Sequence, residues 1–273
     1  MEDLRKIQLL QLDIALEVKR ICEKNNIQYF LDSGTLLGAV RHGGFIPWDD
    51  DLDIAMLRED YERFIKIAPK ELSDKYFLQN TDTDEGFGYT FSKVRLNGTH
   101  YVEKIAQYAK CHDGIYIDIF PYDNMPDDEK LCKKIGYQVR LNTLLLRIKS
   151  GYRPWIYNDS KKDVIKYFPF RVMALFVSKK HLIKRINELM TCVNDKECER
   201  KVICDNLSYH KFYYPKSVYA SAVDYEFEGH MFKVPVGYKE FLTQTYGDYM
   251  TPPPEDKRDS THAIVKVDFG RYA

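Results

Sequence analysis

Residues 30–55 read FLDSGTLLGAVRHGGFIPWDDDLDIA, which joins an apolar strand, a glycine turn and four aspartates within five residues. If residues 51–54 are extended, side chains alternate between faces, so Asp51 and Asp53 project together while the intervening residue enters the core. Two carboxylates on one rim suit Mg²⁺, which prefers hard oxygen ligands. The stretch therefore predicts a metal site beside a strand.

The glycine turn upstream of the aspartates supports this interpretation. Gly34 and Thr35 lie between a predicted strand and a predicted helix, where backbone N–H groups and a hydroxyl can bind phosphate. An isolated Asp-x-Asp pair is more often a solvated loop or a calcium-like site, and the turn favours phosphate chemistry instead. Asp49 or Asp50 is expected to cap the turn or to contact Arg41, and His42 to pack nearby.

Composition limits the classes of function. Lysine plus arginine equals aspartate plus glutamate at 41 each in 273 residues, so no net field favours nucleic acid. The first residues lack the apolar core of a signal peptide, and no apolar run reaches the roughly 18 residues that span a bilayer. The sequence predicts a cytoplasmic protein.

Six cysteines show no C-x-x-C spacing, and they are predicted to be reduced thiols. Even spacing of Cys192, Cys198 and Cys204 leaves a zinc site as the weaker alternative.

Hydrophobic periodicity predicts the elements along the chain. Helices are predicted over 3–24, 33–40, 59–68, 127–149, 161–194 and 238–245, with Pro69 ending the third and Pro169 interrupting the fifth. Strands are predicted over 27–31, 52–56, 76–79, 89–96, 101–104, 115–120, 223–227 and 231–234. Asn97-Gly98 predicts a tight hairpin turn, and residues 228–230 predict a second one.

Asp118 lies in the otherwise apolar run Ile115-Tyr116-Ile117-Asp118-Ile119-Phe120, where a lone charge needs a metal ion or an ionic partner. Lys93 and Arg95 share one face of their predicted strand. They could pair with Asp118, grip a diphosphate or lie at a solvated edge.

The segment from Asp32 to Ala55 closely resembles the LicD family. Further family motifs follow in order after an amphipathic N-terminal helix, and the resemblance covers most of the chain outside residues 151–225. These motifs read Phe91-Ser92-Lys93-Val94-Arg95, Ile115-Tyr116-Ile117-Asp118-Ile119-Phe120-Pro121 and Tyr246-Gly247-Asp248-Tyr249-Met250, the last followed by three prolines.

The resemblance implies an α/β (α+β) fold with a nucleotidyltransferase-like mixed sheet flanked by helices and an added helical region. We expect a catalytic core over 1–150, a helical, acceptor-side region over 151–222, and a C-terminal hairpin, helix and proline-rich strap over 223–273 that returns to the core.

The resemblance also implies site residues. Asp51, Asp53 and Asp118 are the expected catalytic residues and ligands of Mg²⁺, with Mn²⁺ as a substitute, and Asp118 is either a ligand or the base. The expected donor-binding residues are Gly34, Thr35, Arg41, Trp48, Lys93, Arg95, Lys257 and Arg258.

A donor that carries choline presents a quaternary ammonium, which aromatic faces hold best. Trp48, beside the aspartates, is the first candidate, and a loop with Tyr152, Trp155 and Tyr157 could fold over the site. Packing is the alternative for all of them. The three prolines at 252–254 are expected to lead Lys257, Arg258 and His262 back over the core or to cover a sheet edge.

Residues 164–186 place apolar side chains next to Lys179, Lys180, Lys184 and Arg185. This pattern suits peripheral contact with the inner membrane surface, where a lipid-linked glycan would be within reach, although a buried helix with a charged end would look the same.

The resulting hypothesis is a Mg²⁺-dependent transferase that moves phosphocholine from CDP-choline to a sugar hydroxyl of teichoic acid or lipopolysaccharide. Alternatives are polyol-phosphate transfer from a donor such as CDP-ribitol, nucleotidyl transfer to a small molecule, and a choline-binding module without activity.

Overall fold

In the computed structural model, residues 2–203, 212–258 and 262–273 are described. The helices are α1 (Glu2–Lys24), α2 (Ser33–His42), α3 (Arg58–Glu71), α4 (Glu129–Lys149), α5 (Lys161–Leu175), α6 (Lys179–Met190) and α7 (Tyr238–Tyr246). The strands are β1 (Phe30–Leu31), β2 (Asp53–Leu57), β3 (Tyr76–Gln79), β4 (Ser92–Leu96), β5 (His100–Glu103), β6 (Tyr116–Met125), β7 (Arg200–Ile203), β8 (Tyr213–Pro215), β9 (Ala222–Phe227), β10 (His230–Pro235) and β11 (Ile264–Asp268). This mixed architecture confirms the predicted α/β fold class.

The main sheet aligns the segments that carry the predicted site. Its strands run in the order β1-β2-β6-β4-β3, and β7 and β8 extend it beyond the second half of β6. The pair β2–β6 is parallel, whereas β4 runs antiparallel to β6. In this register Asp53 lies opposite Asp118, and Asp118 lies opposite Lys93.

Helix α1 covers this sheet with its predicted apolar stripe. Ile7, Ile14, Val18 and Ile21 are buried, and the main core extends from them through β1, β2, β4 and β6 to Phe241 of α7. Burial of this stripe explains why a helix with a low mean hydropathy is held on the sheet.

Two predicted helix breaks at prolines are wrong. Helix α3 continues past Pro69 to Glu71, because the buried side chains of Phe64 and Ala68 hold its last turns on the core. Helix α5 continues through Pro169, and the chain leaves the helix only after Leu175. The next helix starts where the Ser178 hydroxyl accepts a hydrogen bond from the backbone N–H of His181, an ordinary N-cap.

The hairpin predicted at Asn97-Gly98 is also wrong, although a turn with Gly98 at φ +80° is present. Strand β4 stays in the main sheet, and β5 pairs with the C-terminal strand β11. The turn therefore separates two sheets. The second hairpin prediction is confirmed, since β9 and β10 pair from His230 opposite Phe227 to Pro235 opposite Ala222.

Helices α4 and α6 share a separate apolar core with Met125 and Val202, and α5 adds Ala174 to it. The predicted domain boundaries stay a prediction. Cys22, Cys132 and Cys198 are buried and Cys192 is exposed, and the five cysteines of the described ranges are free thiols. Cys204 lies outside those ranges.

Candidate active site

The turn from β1 into α2 is strained. Ser33 opens the helix at φ +47°, a left-handed conformation that a non-glycine residue adopts at some energetic cost. Before it, the buried Asp32 accepts a hydrogen bond from the Tyr122 hydroxyl at 3.0 Å. Burial raises the pKa of Asp32 to about 6, although the bonds from Tyr122 and Ser33 lower it. Such strain is typical of turns that present backbone groups to a ligand.

Gly34 allows the acidic loop to approach this turn. A Cβ atom at this position would lie 2.6 Å from Asp49 Oδ2, which is closer than van der Waals contact allows. A larger residue at position 34 would therefore displace the Asp49 carboxylate from its present position. The predicted turn and the predicted aspartates are thus in direct contact.

Thr35 holds Asp53 in place. The buried Thr35 hydroxyl accepts a hydrogen bond of 2.9 Å from the backbone N–H of Asp53. Asp53 itself is buried at the start of β2, in register with Asp118 on β6. Thr35 thereby positions the backbone of a predicted metal ligand, and phosphate binding by its hydroxyl stays a prediction.

A buried cation pairs with Asp118. Lys93 Nζ lies 2.9 Å from Asp118 Oδ1 and 3.8 Å from Glu103 Oε1, and it packs 3.3 Å from the centroid of the Tyr116 ring. The salt bridge that the sequence left open is therefore formed by Lys93. Asp118 Oδ1 nevertheless accepts no hydrogen bond of good geometry among the described residues.

Asp49, Asp50 and Asp51 bring their carboxylate oxygens within 4.8 Å of one another, and no other trio of acidic, histidine or cysteine side chains in the described ranges is this close. The predicted trio of Asp51, Asp53 and Asp118 is thus not the tightest group. Asp50 accepts a 2.8 Å hydrogen bond from the Tyr101 hydroxyl, and its other oxygen lies 3.1 Å from His262 Nδ1. The expected contact of Asp49 or Asp50 with Arg41 stays a prediction.

Helix α1 supports the backbone of this acidic loop. The buried side-chain amide of Gln8 donates to the carbonyl of Asp49 at 2.9 Å, and that of Gln11 donates to the carbonyl of Asp50 at 2.9 Å. Both glutamines are almost fully buried. The sequence interpretation missed them, although Gln11 falls between Ile7 and Ile14 in the apolar stripe, where a polar residue needs a specific partner.

Burial and mutual repulsion raise the pKa values of several carboxyl groups. Burial and then the neighbouring Asp51 raise the pKa of Asp49 to about 8. Burial, Asp51 and Asp118 raise the pKa of Asp53 well above its ordinary value. Burial also raises the pKa of Asp118, although Lys93 opposes this effect. The site therefore concentrates more negative charge than its surroundings neutralise.

His262 is the second cation of the cluster. Burial would lower its pKa, but the hydrogen bond with Asp50 and the charges of Asp51 and Glu103 outweigh burial and raise the pKa to about 9. The imidazole is therefore protonated at neutral pH. His262 thus lies against the acidic loop, and the return of the whole C-terminal strap to the core stays a prediction.

These residues are compatible with a divalent cation. Five aspartates at positions 49, 50, 51, 53 and 118 are balanced, within the described ranges, by the cations of Lys93 and His262. Burial raises the pKa of Asp118, and burial with the neighbouring Asp51 raises that of Asp53 well above its ordinary value. A hard cation with oxygen ligands would relieve both conditions.

A cleft of about 350 Å³ opens beside the acidic loop. Its wall combines the rings of Trp48, Tyr246 and Tyr249, the carboxylates of Asp49 and Asp248, and the cation of Arg41. Gly34 lies at its floor, next to Asp49. Gly34, Arg41 and Trp48, three of the predicted donor-binding residues, therefore line one cleft.

The C-terminal segment reaches the same cleft. Pro253 lines it, and the guanidinium of Arg258 lies 5.2 Å from the ring centroid of Trp48. Arg41 donates a 3.0 Å hydrogen bond to the backbone carbonyl of Tyr249. Lys257 is exposed, one residue before Arg258.

Other predicted residues lie elsewhere. Arg95 is buried and donates to Gln79 and to the carbonyl of Gly114, so its guanidinium is engaged in holding the sheet. The aromatic loop does not cover the cleft, because Tyr152 is buried against Tyr89 and Trp155 packs against Tyr167 of α5. Tyr152 joins a buried aromatic cluster with Phe87 and Phe91, whereas α5 offers a nearby ring to Trp155.

Asp32, Glu103 and Tyr246 were not predicted as site residues. Glu103 pairs with Lys93 and accepts a 2.9 Å hydrogen bond from the Tyr116 hydroxyl. Burial and then the charges of Asp32 and Asp53 raise the pKa of Tyr246, whose side chain lines the cleft. Asp32 and Tyr246 carried a sequence signal, since Asp32 directly precedes the glycine turn and Tyr246 opens the last family motif.

Comparison with known proteins agrees with this geometry. Residues 26–141 match the family described as LicD/FKTN/FKRP, nucleotidyltransferase domain. That range contains the strained turn, the acidic loop, β4 and β6. Fold, site and match together define a phosphotransferase built on a nucleotidyltransferase-type domain.

A relative matches nearly end to end. The lipopolysaccharide cholinephosphotransferase LicD of Haemophilus influenzae is 32% identical over 261 residues, which cover 95% of this chain and 96% of the relative. The chain therefore belongs to the LicD family.

Two eukaryotic proteins match shorter stretches. Human ribitol 5-phosphate transferase FKRP is 44% identical over 48 residues, 18% of this chain and 10% of the human protein. Mannosyltransferase regulator 4 of Saccharomyces cerevisiae is 29% identical over 109 residues, 37% of this chain and 9% of the yeast protein.

Proposed function

We propose that this phosphotransferase moves phosphocholine from CDP-choline to a hydroxyl group of a cell-surface glycan precursor, either teichoic acid or lipopolysaccharide. The observation that carries the proposal is the cleft in which three aromatic rings and two carboxylates stand beside the acidic loop. A trimethylammonium group has no hydrogen-bond donor, and it is attracted both by aromatic faces and by negative charge. The full-length similarity to a cholinephosphotransferase supports the same donor and a glycan acceptor.

The transfer balances as a displacement at phosphorus. The acceptor hydroxyl oxygen forms a bond to the phosphorus of phosphocholine, the phosphoanhydride bond to CMP breaks, and the hydroxyl proton leaves to a base. Asp118 is the proposed base or metal ligand, because it is buried beside Asp53 with a raised pKa. Arg41 and Arg258 are the proposed partners of the diphosphate, since both lie at the cleft.

We propose Mg²⁺, with Mn²⁺ as a substitute, as the cation that Asp51 and Asp53 hold together with Asp118. When bound, it would neutralise charge on the diphosphate during transfer. Asp49 is a further candidate ligand, because its carboxyl lies beside both Asp51 and Gly34. Lys93 keeps Asp118 oriented at 2.9 Å.

Polyol-phosphate transfer from CDP-ribitol is the second candidate, and the match to ribitol 5-phosphate transferase favours it. A polyol needs hydroxyl and amide partners in place of aromatic faces. Three of the eleven residues that line the cleft are aromatic and none carries a side-chain amide, which favours choline over ribitol.

A donor panel tests the assignment. The protein is incubated with CDP-choline, CDP-ribitol or CTP, each with Mg²⁺ and a glycan acceptor, and released CMP and pyrophosphate are measured. We expect CMP from CDP-choline at a rate at least tenfold above CDP-ribitol. CMP from CDP-ribitol alone would establish the polyol candidate, and pyrophosphate from CTP would establish nucleotidyl transfer.

A matched pair of variants links the result to the cleft. Trp48→Ala should weaken CDP-choline binding much more than CMP binding, because only the former carries the quaternary ammonium. Trp155→Ala removes the other tryptophan, which lies outside the cleft, and it should change neither affinity. If Trp48→Ala weakened CDP-choline binding and CMP binding equally, the proposal that Trp48 contacts the choline group would be wrong.

A further inference from the structure

Helix α5 exposes large apolar side chains to solvent. Ile165, Phe168, Leu175 and Phe176 are 75%, 60%, 73% and 83% exposed, and Ala174 is the one buried residue of the helix. Exposed clusters of this kind are uncommon on a surface that stays in water.

The exposed residues form one continuous face. Positions 165, 168, 172, 175 and 176 are spaced by three, four, three and one residues, so they follow a single side of the helix. The opposite side carries Ala174 and Phe170 against the core of α4 and α6. The outward face of α5 is therefore apolar, like the packed face, and no element within the described ranges covers it.

Basic side chains border this face. Residues 161–176 contain Lys161, Lys162, Lys166 and Arg171 but the single acidic residue Asp163. Lys162 and Lys166 lie to one side of the apolar face and Arg171 lies to the other, as their helical positions require. An apolar face with a positive rim is complementary to an anionic lipid surface.

A groove behind helix α5 also combines apolar and basic side chains. Between α4 and α5 a cavity of about 330 Å³ is lined by apolar and aromatic side chains, including Leu141 and Phe170, and by Arg140, Arg147 and Lys166. Its mainly apolar wall with cations at the edge could receive part of a lipid. No helix within the described ranges is long and apolar enough to cross a bilayer.

We propose that the outward face of α5 docks on the surface of a membrane that contains anionic lipids, with Phe168, Leu175 and Phe176 inserted at the interface. A second copy of the chain is the less favourable occupant, because two positively rimmed faces would repel each other. The proposal does not depend on the donor, since docking needs neither donor nor acceptor.

Flotation with lipid vesicles tests the proposal on the full chain. Vesicles of phosphatidylcholine alone are compared with vesicles that contain one third phosphatidylglycerol. We expect binding to the anionic vesicles, weakened severalfold by high salt. The double variant Phe168→Ser with Phe176→Ser should lose about tenfold or more in vesicle affinity, because two aromatic rings no longer enter the interface.

The control removes two exposed apolar side chains elsewhere. Leu9→Ser with Met231→Ser changes residues that are 47% and 49% exposed on α1 and β10, and it should bind vesicles like the parent. Equal binding by the α5 double variant and the parent would overturn the proposal. The proposal would also be overturned if the parent protein did not bind vesicles but formed a dimer that was absent in the α5 double variant, as measured by sedimentation velocity.

Discussion

The acidic site and helix α5 depart from ordinary burial in opposite directions. At the site, Asp53, Asp118 and Lys93 are charged side chains withdrawn from water. On α5, Phe168 and Phe176 are apolar side chains left in water. Neither arrangement stabilises the isolated chain, because buried like charges and exposed apolar area both oppose folding. The comparison suggests that each region is completed by something outside the chain, a cation and donor in one case and a membrane in the other.

The largest expected effect is loss of turnover on removal of a carboxylate from the site. Asp51→Asn and Asp53→Asn should each lower kcat by on the order of 10³-fold, because a neutral amide holds Mg²⁺ poorly. The thermal midpoint of the metal-free protein should not fall, since one of several repelling charges is gone.

Asp82→Asn, an exposed aspartate away from the site, is the control and should leave kcat unchanged. Full turnover of both site variants at saturating donor would contradict the metal assignment. It would also contradict the inference that a bound cation neutralises the buried carboxylates.

The buried pair should be the next most sensitive feature. Lys93→Met should lower the free energy of unfolding by about 3 kcal/mol, because Asp118 is then buried without its cation. Asp118→Asn should lower kcat far more than donor affinity, since Glu103 remains near Lys93. Urea unfolding and steady-state kinetics measure the two effects.

The exposed pair of Lys216 with Glu199 provides the control, and Lys216→Met should change stability little. If the Asp118→Asn protein kept its kcat but lost stability, the role of the pair of Lys93 with Asp118 would be structural only.

Donor affinity should depend on Arg258 more than on the neighbouring Lys257. Arg258→Ala should weaken CDP-choline binding by roughly tenfold at an unchanged thermal midpoint, because its guanidinium faces Trp48 at the cleft. Lys257→Ala, which removes an exposed charge one residue away, should have a smaller effect. Unchanged affinity in both variants would leave the C-terminal segment with a structural role alone.

The pH dependence of stability should report on His262. Its pKa rises from 6.5 to about 9 on folding, so the imidazolium contributes fully below pH 6.5, and the contribution is lost as pH rises through about 9. The partners that face it are Asp50, Asp51 and Glu103.

The metal-free parent should therefore lose stability between pH 6.5 and 9, as measured by urea unfolding. Burial and Asp51 raise the pKa of Asp49 from 3.8 to about 8 on folding, so this carboxyl adds a further loss of stability as the pH rises between those two values. His262→Gln should flatten the curve above pH 8. Identical slopes for parent and variant would contradict the assignment of a cationic His262.

The smallest effect is expected on α5. Phe168→Ser should change the free energy of unfolding by no more than about 0.5 kcal/mol, because the ring is already exposed. Phe64→Ala, at a fully buried position of α3, should cost about 3 kcal/mol or more. Comparable losses in thermal midpoint would show that α5 is covered within the protein, which would remove the contrast between the two regions.

Local sequence was informative wherever the physical cause is local. The three- and four-residue spacing of α1 and the apolar run after Asp53 depend on neighbouring residues, and the structure has a helix and a strand at these places. The β9–β10 hairpin follows from its turn residues in the same way. Proline was less informative, because packing of Ala68 and Ala174 maintained helices that local rules would end.

The sequence by itself was sufficient for the clustered aspartates and for the family, because compact motifs are encoded in adjacent residues, and the resemblance to that family implied the fold class. Tertiary structure decided which cation meets which carboxylate. Asp118 pairs with Lys93 rather than Arg95, since the register of β4 on β6 places Lys93 opposite it. His262 reaches Asp50 across 212 residues of sequence, and Arg258 reaches Trp48. Such contacts result from the packing of distant segments, for which no local pattern of residues carries a signal.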